Sequence, residues 1–176
     1  MGKALKIGWA QTSITPSRPV RIIGQMYERI SDYVHDPVTA TALALDNGND
    51  QVVLVSLDMT EVPMHAIHRI NQLITDVPGL DSGKISYNVT HTHNSSDFFS
   101  DFLRDDFVSV LGEERLPSIA KPDNLLDGEE ASVFLSEKIA SIIRRAWDTR
   151  ANGGISWGHE YAVVGFNRRP IFEKDG

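Results

Sequence analysis

Cysteine is absent from this 176-residue chain. That excludes disulfides and thiolate metal sites, so a metal held here would need His, Asp, Glu or Tyr. Basic residues are the minority: 17 Lys and Arg against 24 Asp and Glu give a net charge of −7. No basic stripe is left to grip nucleic acid or an anionic membrane, and neither is expected as a partner. Long hydrophobic runs are missing too. Nothing reaches membrane-spanning length, and the start Met1-Gly-Lys-Ala-Leu-Lys-Ile-Gly-Trp9 lacks the apolar core of a signal peptide. The expected location is therefore cytoplasmic, and the sequons at Asn88 and Asn94 read as coincidence. There is no internal repeat and no low-complexity linker. With 41% hydrophobic residues, residues 1–176 can bury one core and read as a single domain.

What is present is led by His91-Thr-His93, which follows the apolar run Ile85-Ser-Tyr-Asn-Val-Thr90. Side chains two apart on an extended backbone point the same way. Two imidazoles so placed can share a metal, or divide ligand and supporting duties between them.

The surrounding pattern gives this pair a rim to sit on. Residues 6–13 read as a strand, followed by a loop rich in Pro, Gly and Arg to about residue 32. Residues 38–46 alternate as a half-buried strand, Asn47-Gly48-Asn49-Asp50 is a turn, and Gln51-Val-Val-Leu-Val-Ser-Leu57 is a β-branched strand expected to be buried on both faces. Pro63 opens a helix with Ile67, Ile70, Leu73 and Ile74 as its apolar stripe. Residues 84–90 form the next strand. Strand, helix, strand makes a parallel crossover, and such sheets present ligands at their carboxyl ends. The same rim should thus carry Asp58, His91 and His93. The expected fold is α/β: a mixed β-sheet with a hairpin and a parallel βαβ crossover, helices packed on the sheet.

Downstream, residues 97–107 have acids at 97, 101 and 105 and aromatics at 98, 99, 102 and 107. Helical spacing would sort these into a solvated face and a core face, or supply an aromatic flap over an acyl groove. A loop is expected over 112–128, a helix over 128–149, and a last strand over 155–166 bearing His159. His65 and His68 should face solvent. The closing Asp175-Gly176 is a hairpin signal with no strand after it. This suggests an incomplete part of a larger domain.

Six pieces, in order, resemble the amino-terminal part of the neutral/alkaline (non-lysosomal) ceramidases. They are Ile7-Gly-Trp-Ala-Gln-Thr-Ser-Ile-Thr-Pro16, Ile23-Gly-Gln-Met-Tyr27, Val34-His35, Val55-Ser-Leu-Asp58, Asn88-Val-Thr-His-Thr-His93 and Asn167-Arg168. The resemblance covers nearly the whole chain. It implies a zinc-dependent hydrolase of an amide bond in a small-molecule or lipid-like substrate. By the same resemblance His91 is the Zn2+ ligand, and His93 positions water or steadies the tetrahedral intermediate. Arg168 is then a donor to the substrate oxyanion. Asp58 would orient one of the imidazoles through its far nitrogen, and His35 would line the site. The family's remaining ligands, a second His, a Glu and a Tyr, are expected from sequence past residue 176. The chain departs from the family where Ser-Gly-Pro is replaced by Asn94-Ser95-Ser96, and where Asp36-Pro37 follows His35. These differences bear on the substrate more than on the metal.

Two other His-x-His hydrolase plans fit less well. A metallo-β-lactamase-like site needs Asp then His where Ser95 and Ser96 stand. An amidohydrolase barrel carries its motif after the first strand. The rival of a different class is a non-catalytic binding or assembly domain with structural histidines. The sequence leaves the oligomeric state open.

Overall fold

The structure, a computed structural model, describes residues 4–25, 27–98, 102–116 and 119–165, with side chains throughout except at 102–106. Five strands form one mixed sheet: β1 (Lys6–Ser13), β2 (Thr39–Asp46), β3 (Gln51–Leu57), β4 (Ile85–Val89) and β5 (Ala151–Asn152), in the order β4-β3-β2-β1-β5. The helices are α1 (Met64–Leu73), α2 (Phe102–Leu111) and α3 (Gly128–Asp148). The β2–β3 hairpin is antiparallel, closed by Asn47, whose side-chain oxygen accepts from the amides of Asn49 and Asp50. β3 and β4 run parallel, with Val53 opposite Ile85 and Leu57 opposite Val89. The expected α/β fold and its crossover are therefore present.

Alternation sets the core. Ala10, Ala40, Ala42, Ala44, Val53, Val55 and Leu57 face the helices and are buried. α3 lies across β1 and β2 so closely that a Cβ on Gly8 would fall 1.7 Å from the carbonyl oxygen of Ala146. Its start is capped by Asp127, which accepts from the Glu130 amide at 2.7 Å. Pro63 sits at the N-cap of α1, where its carbonyl accepts from the amides of Ala66 and Ile67. The inward stripe of α1 is Ala66, Ile70 and Ile74, while Leu73 turns outward.

Three expectations need correction. β3 is not buried on both faces. Among the described residues helices cover one side only, and on the other side Trp9, Leu43 and Leu54 form one cross-strand row and Ile7, Leu45 and Val52 the next. Trp9 is 62% exposed there. Nor do residues 155–165 form a strand. Only Ala151 and Asn152 pair, opposite Ile7 and Lys6, so the chain runs off the start of β1 and finds no ladder. Ile155, Trp157, His159, Tyr161 and Val163 are all exposed. Finally, the helix of the 97–107 region begins at Phe102. Phe98 packs in the core, 1% exposed, and is no flap. Phe99 lies outside the described residues.

Candidate functional site

The parallel pairing of β3 and β4 continues one step past the strands, with the Thr90 amide donating to the Leu57 carbonyl at 3.0 Å. The two segments then part. β3 leads through Asp58 and Met59 to Thr60, and β4 leads to His91, so the crossover delivers both turns to one rim. His91 is the one non-glycine residue with positive φ among the described residues, at 55°. Histidine is among the side chains that enter this region, at a cost that the surroundings must offset. Thr60 fixes the turn. Its hydroxyl donates to the Thr92 carbonyl at 2.8 Å, and its own carbonyl lies 2.7 Å from His91 Nδ1.

That second contact decides a tautomer. A carbonyl oxygen only accepts, so Nδ1 carries the proton and Nε2 of the neutral ring presents a lone pair. Facing it at 3.4 Å is His93 Nε2, with ring centroids 5.0 Å apart and planes inclined at 74°. Two nitrogens bound to one tetrahedral zinc at the usual bond length stand about 3.3–3.4 Å apart. The pair therefore has the span of one edge of such a site, and equally that of a long imidazole–imidazole hydrogen bond. Both residues are open to solvent. Among the described residues no three His, Cys, Asp or Glu side chains converge as a complete cage. The residues present fit a partial ligand set.

The remaining residues singled out in the sequence are placed elsewhere. Asp58 Oδ2 accepts from the Thr39 amide at 2.9 Å and its hydroxyl at 2.8 Å, while the Asp58 amide donates to the Thr39 carbonyl. The carboxylate thus pins the end of β3 to the start of β2, and the Thr60 carbonyl orients His91 in its stead. His35 is 79% exposed and pairs with Asp36 at 2.7 Å, in solvent rather than lining the histidine pair. Arg168 lies outside the described residues. His65 and His68 face outward on α1 as expected.

Sequence reasoning missed the loop that backs His93. Residues 20–25 and 27–31 are drawn together through Arg21 paired with Ile30, then dock on the chain after the histidines through Ile22 and Ser96. Ile23 donates to the Ser95 carbonyl at 3.2 Å, and Asp97 to that of Arg21 at 2.7 Å. Arg29 reaches the carbonyls of His93 and Ile23 and, at 3.1 Å, Asn94 Oδ1. A Pro-, Gly- and Arg-rich stretch signals a loop, but nothing in its spacing says which strand end it will meet.

No protein-family model matches this chain, and no curated protein matches it in sequence. Solved structures do match it in fold. Neutral ceramidase from Pseudomonas aeruginosa superposes with a TM-score of 0.65 at 18% identity, over 86% of this chain and 22% of that one. A structure described as ceramidase complexed with C2 gives 0.63 at 17%, with the same shares of the two chains covered. The chain spans about a fifth of the length of these proteins, and its fold is like that part of a larger ceramidase domain.

Proposed function

We propose that this chain carries part of the centre of a zinc-dependent hydrolase cleaving the amide bond of an N-acyl, lipid-like substrate. The observation that carries the reading is the histidine pair: Nε2 facing Nε2 at 3.4 Å, with the far nitrogen of His91 already engaged by Thr60. The likeness in fold to neutral ceramidase supports the reaction class.

In this reading His91 is a metal ligand through Nε2, and its Nδ1–H is held by the Thr60 carbonyl, the usual support of a ligating imidazole. Bound zinc would supply a Lewis acid and lower the pKa of a water to about 7. His93, tethered through its carbonyl by Arg29, holds its ring where it can hydrogen-bond attacking water or the oxygen that gains negative charge. Arg168 is a second candidate for that oxygen. Asp58 acts at a distance, by keeping the ends of β2 and β3 together beneath the rim. Among the described residues no helix is long and apolar enough to cross a membrane.

The test is chelation with a phenanthroline-type agent followed by zinc add-back on the full-length protein, using a panel of N-acyl amides. Loss and recovery of hydrolysis are expected, with zinc near one equivalent by elemental analysis. Hydrolysis untouched by metal removal would end the proposal. Substoichiometric zinc with no hydrolysis would favour a binding domain whose histidines are structural.

A further inference from the structure

Among the described residues Arg29 is a cation paired with no acid. Among the described residues its guanidinium meets three oxygen acceptors: the carbonyls of Ile23 and His93 and the amide oxygen of Asn94. Its Nε is buried with no hydrogen-bond partner. Taking a guanidinium part-way out of water without a carboxylate costs free energy, and the fork geometry recovers it only if the acceptors are held in place. Both nitrogens of this fork matter, because Nη2 bridges the Ile23 carbonyl of the loop to the His93 carbonyl and Nη1 adds the side-chain oxygen of Asn94.

Gly24 supplies the second, independent observation. Its φ is +104°, a conformation that side chains rarely adopt, and a Cβ built there would lie 2.5 Å from both Cβ and Cγ of His93. The loop backbone is therefore pressed against the root of the His93 ring. With the carbonyl of His93 tied by Arg29 and its Cβ backed by Gly24, the ring has little freedom in χ1 and is left facing His91.

We infer that Arg29 and Gly24 are positioning residues that aim the His93 ring at His91. They act through the backbone of residues 93–94 and touch neither metal nor substrate. The inference deepens the proposed function and rests on it for its chemical consequence, but the aim of the ring can be read without it.

The experiment compares R29A, R29K and G24A with the wild-type protein in two ways. The first is a nuclear Overhauser contact between the ring protons of His91 and His93, with long-range proton–nitrogen spectra reporting the His91 tautomer. The second is zinc affinity by competition with a chromophoric chelator. In R29A and G24A the ring–ring contact should vanish while His91 keeps its Nδ1–H form, and zinc affinity should fall about 10–100-fold. R29K keeps the charge but not the fork, so it should lose most of the contact, and it provides the answer should R29A fail to fold. Retention of the ring–ring contact in folded R29K or R29A would overturn the inference. A wild-type protein that binds no zinc would end the metal reading alone, because the ring–ring contact would still decide this one.

Discussion

The two ends of the sheet are built on opposite plans. At the hairpin end, polar groups crowd round an open groove and answer one another. Lys84 pairs with Asp50 at 3.1 Å, and Gln51 donates to Gly79 and accepts from the Asp81 amide, both at 2.9 Å. Trp147 donates to Pro78, and Arg150 stacks 3.2 Å above the Trp147 ring. At the other end two imidazole nitrogens face each other, one of them on a residue, His91, turned to positive φ. Groups that satisfy their neighbours hold a fold together. Groups aimed at a shared point, with the far nitrogen of one already engaged by Thr60, are what the proposed metal site calls for.

The largest expected effect separates the ends most sharply. His91→Asn keeps a residue that tolerates positive φ and removes the Nε2 proposed as metal ligand. Hydrolysis and zinc uptake by the full-length protein should fall by at least about 100-fold, while the unfolding midpoint in urea stays close to wild type. A large loss of stability with hydrolysis intact would reverse the assignment of the two ends.

Next comes Asp58→Ala, which tests whether that acid belongs to the site or to the frame. It strips the amide and hydroxyl of Thr39 of their acceptor, and the expected cost is about 1–3 kcal/mol in urea unfolding. Zinc affinity should change far less than in His91→Asn. Collapse of zinc affinity without loss of stability would instead return Asp58 to the support of an imidazole.

How much of this was legible beforehand follows the same division. Strands 6–13 and 51–57, the turn at Asn47, the helix after Pro63 and the parallel return to Val89 are all written in local chemistry: alternation, turn residues and a proline. Placement of the ends of β3 and β4 on one rim follows from topology alone. What was not legible depends on contacts between distant segments. The partner of Asp58 is Thr39, nineteen residues upstream and across a strand pair. The orienting acceptor for His91 is a main-chain carbonyl, which no side-chain pattern announces. Residues 155–165 alternate like a strand, but alternation states only that a strand could form, and here β1 ends before they reach it.

A smaller effect probes the hairpin end. The amide of Gln51 first, then the Lys84 ammonium, hold the Asp50 carboxyl below its usual pKa of 3.8. A carboxyl depressed by folding stabilises the native state above the unfolded value, and that contribution fades as pH falls through the lower folded value. Asp50→Asn should therefore leave a slightly weakened protein near neutral pH and converge on wild type below about pH 4. Since the carboxylate is exposed, the gap should also shrink in high salt. A gap that widens on acidification would mean the sign is wrong.

The smallest effect lies between the two ends, on the face that no helix covers among the described residues. Leu54 is 40% exposed there, in a row with Leu43 and Trp9. Threonine suits a strand at a solvated position, so Leu54→Thr should change unfolding free energy by no more than about 0.5 kcal/mol. That near-zero result is informative because the face is apolar: rows of this kind commonly mark a surface that another element covers. The substitution should therefore be silent in this chain alone. If the same change in a longer protein costs several times as much, the face is buried there by a further layer, and the hairpin end and the histidine end both belong to one side of a thicker domain.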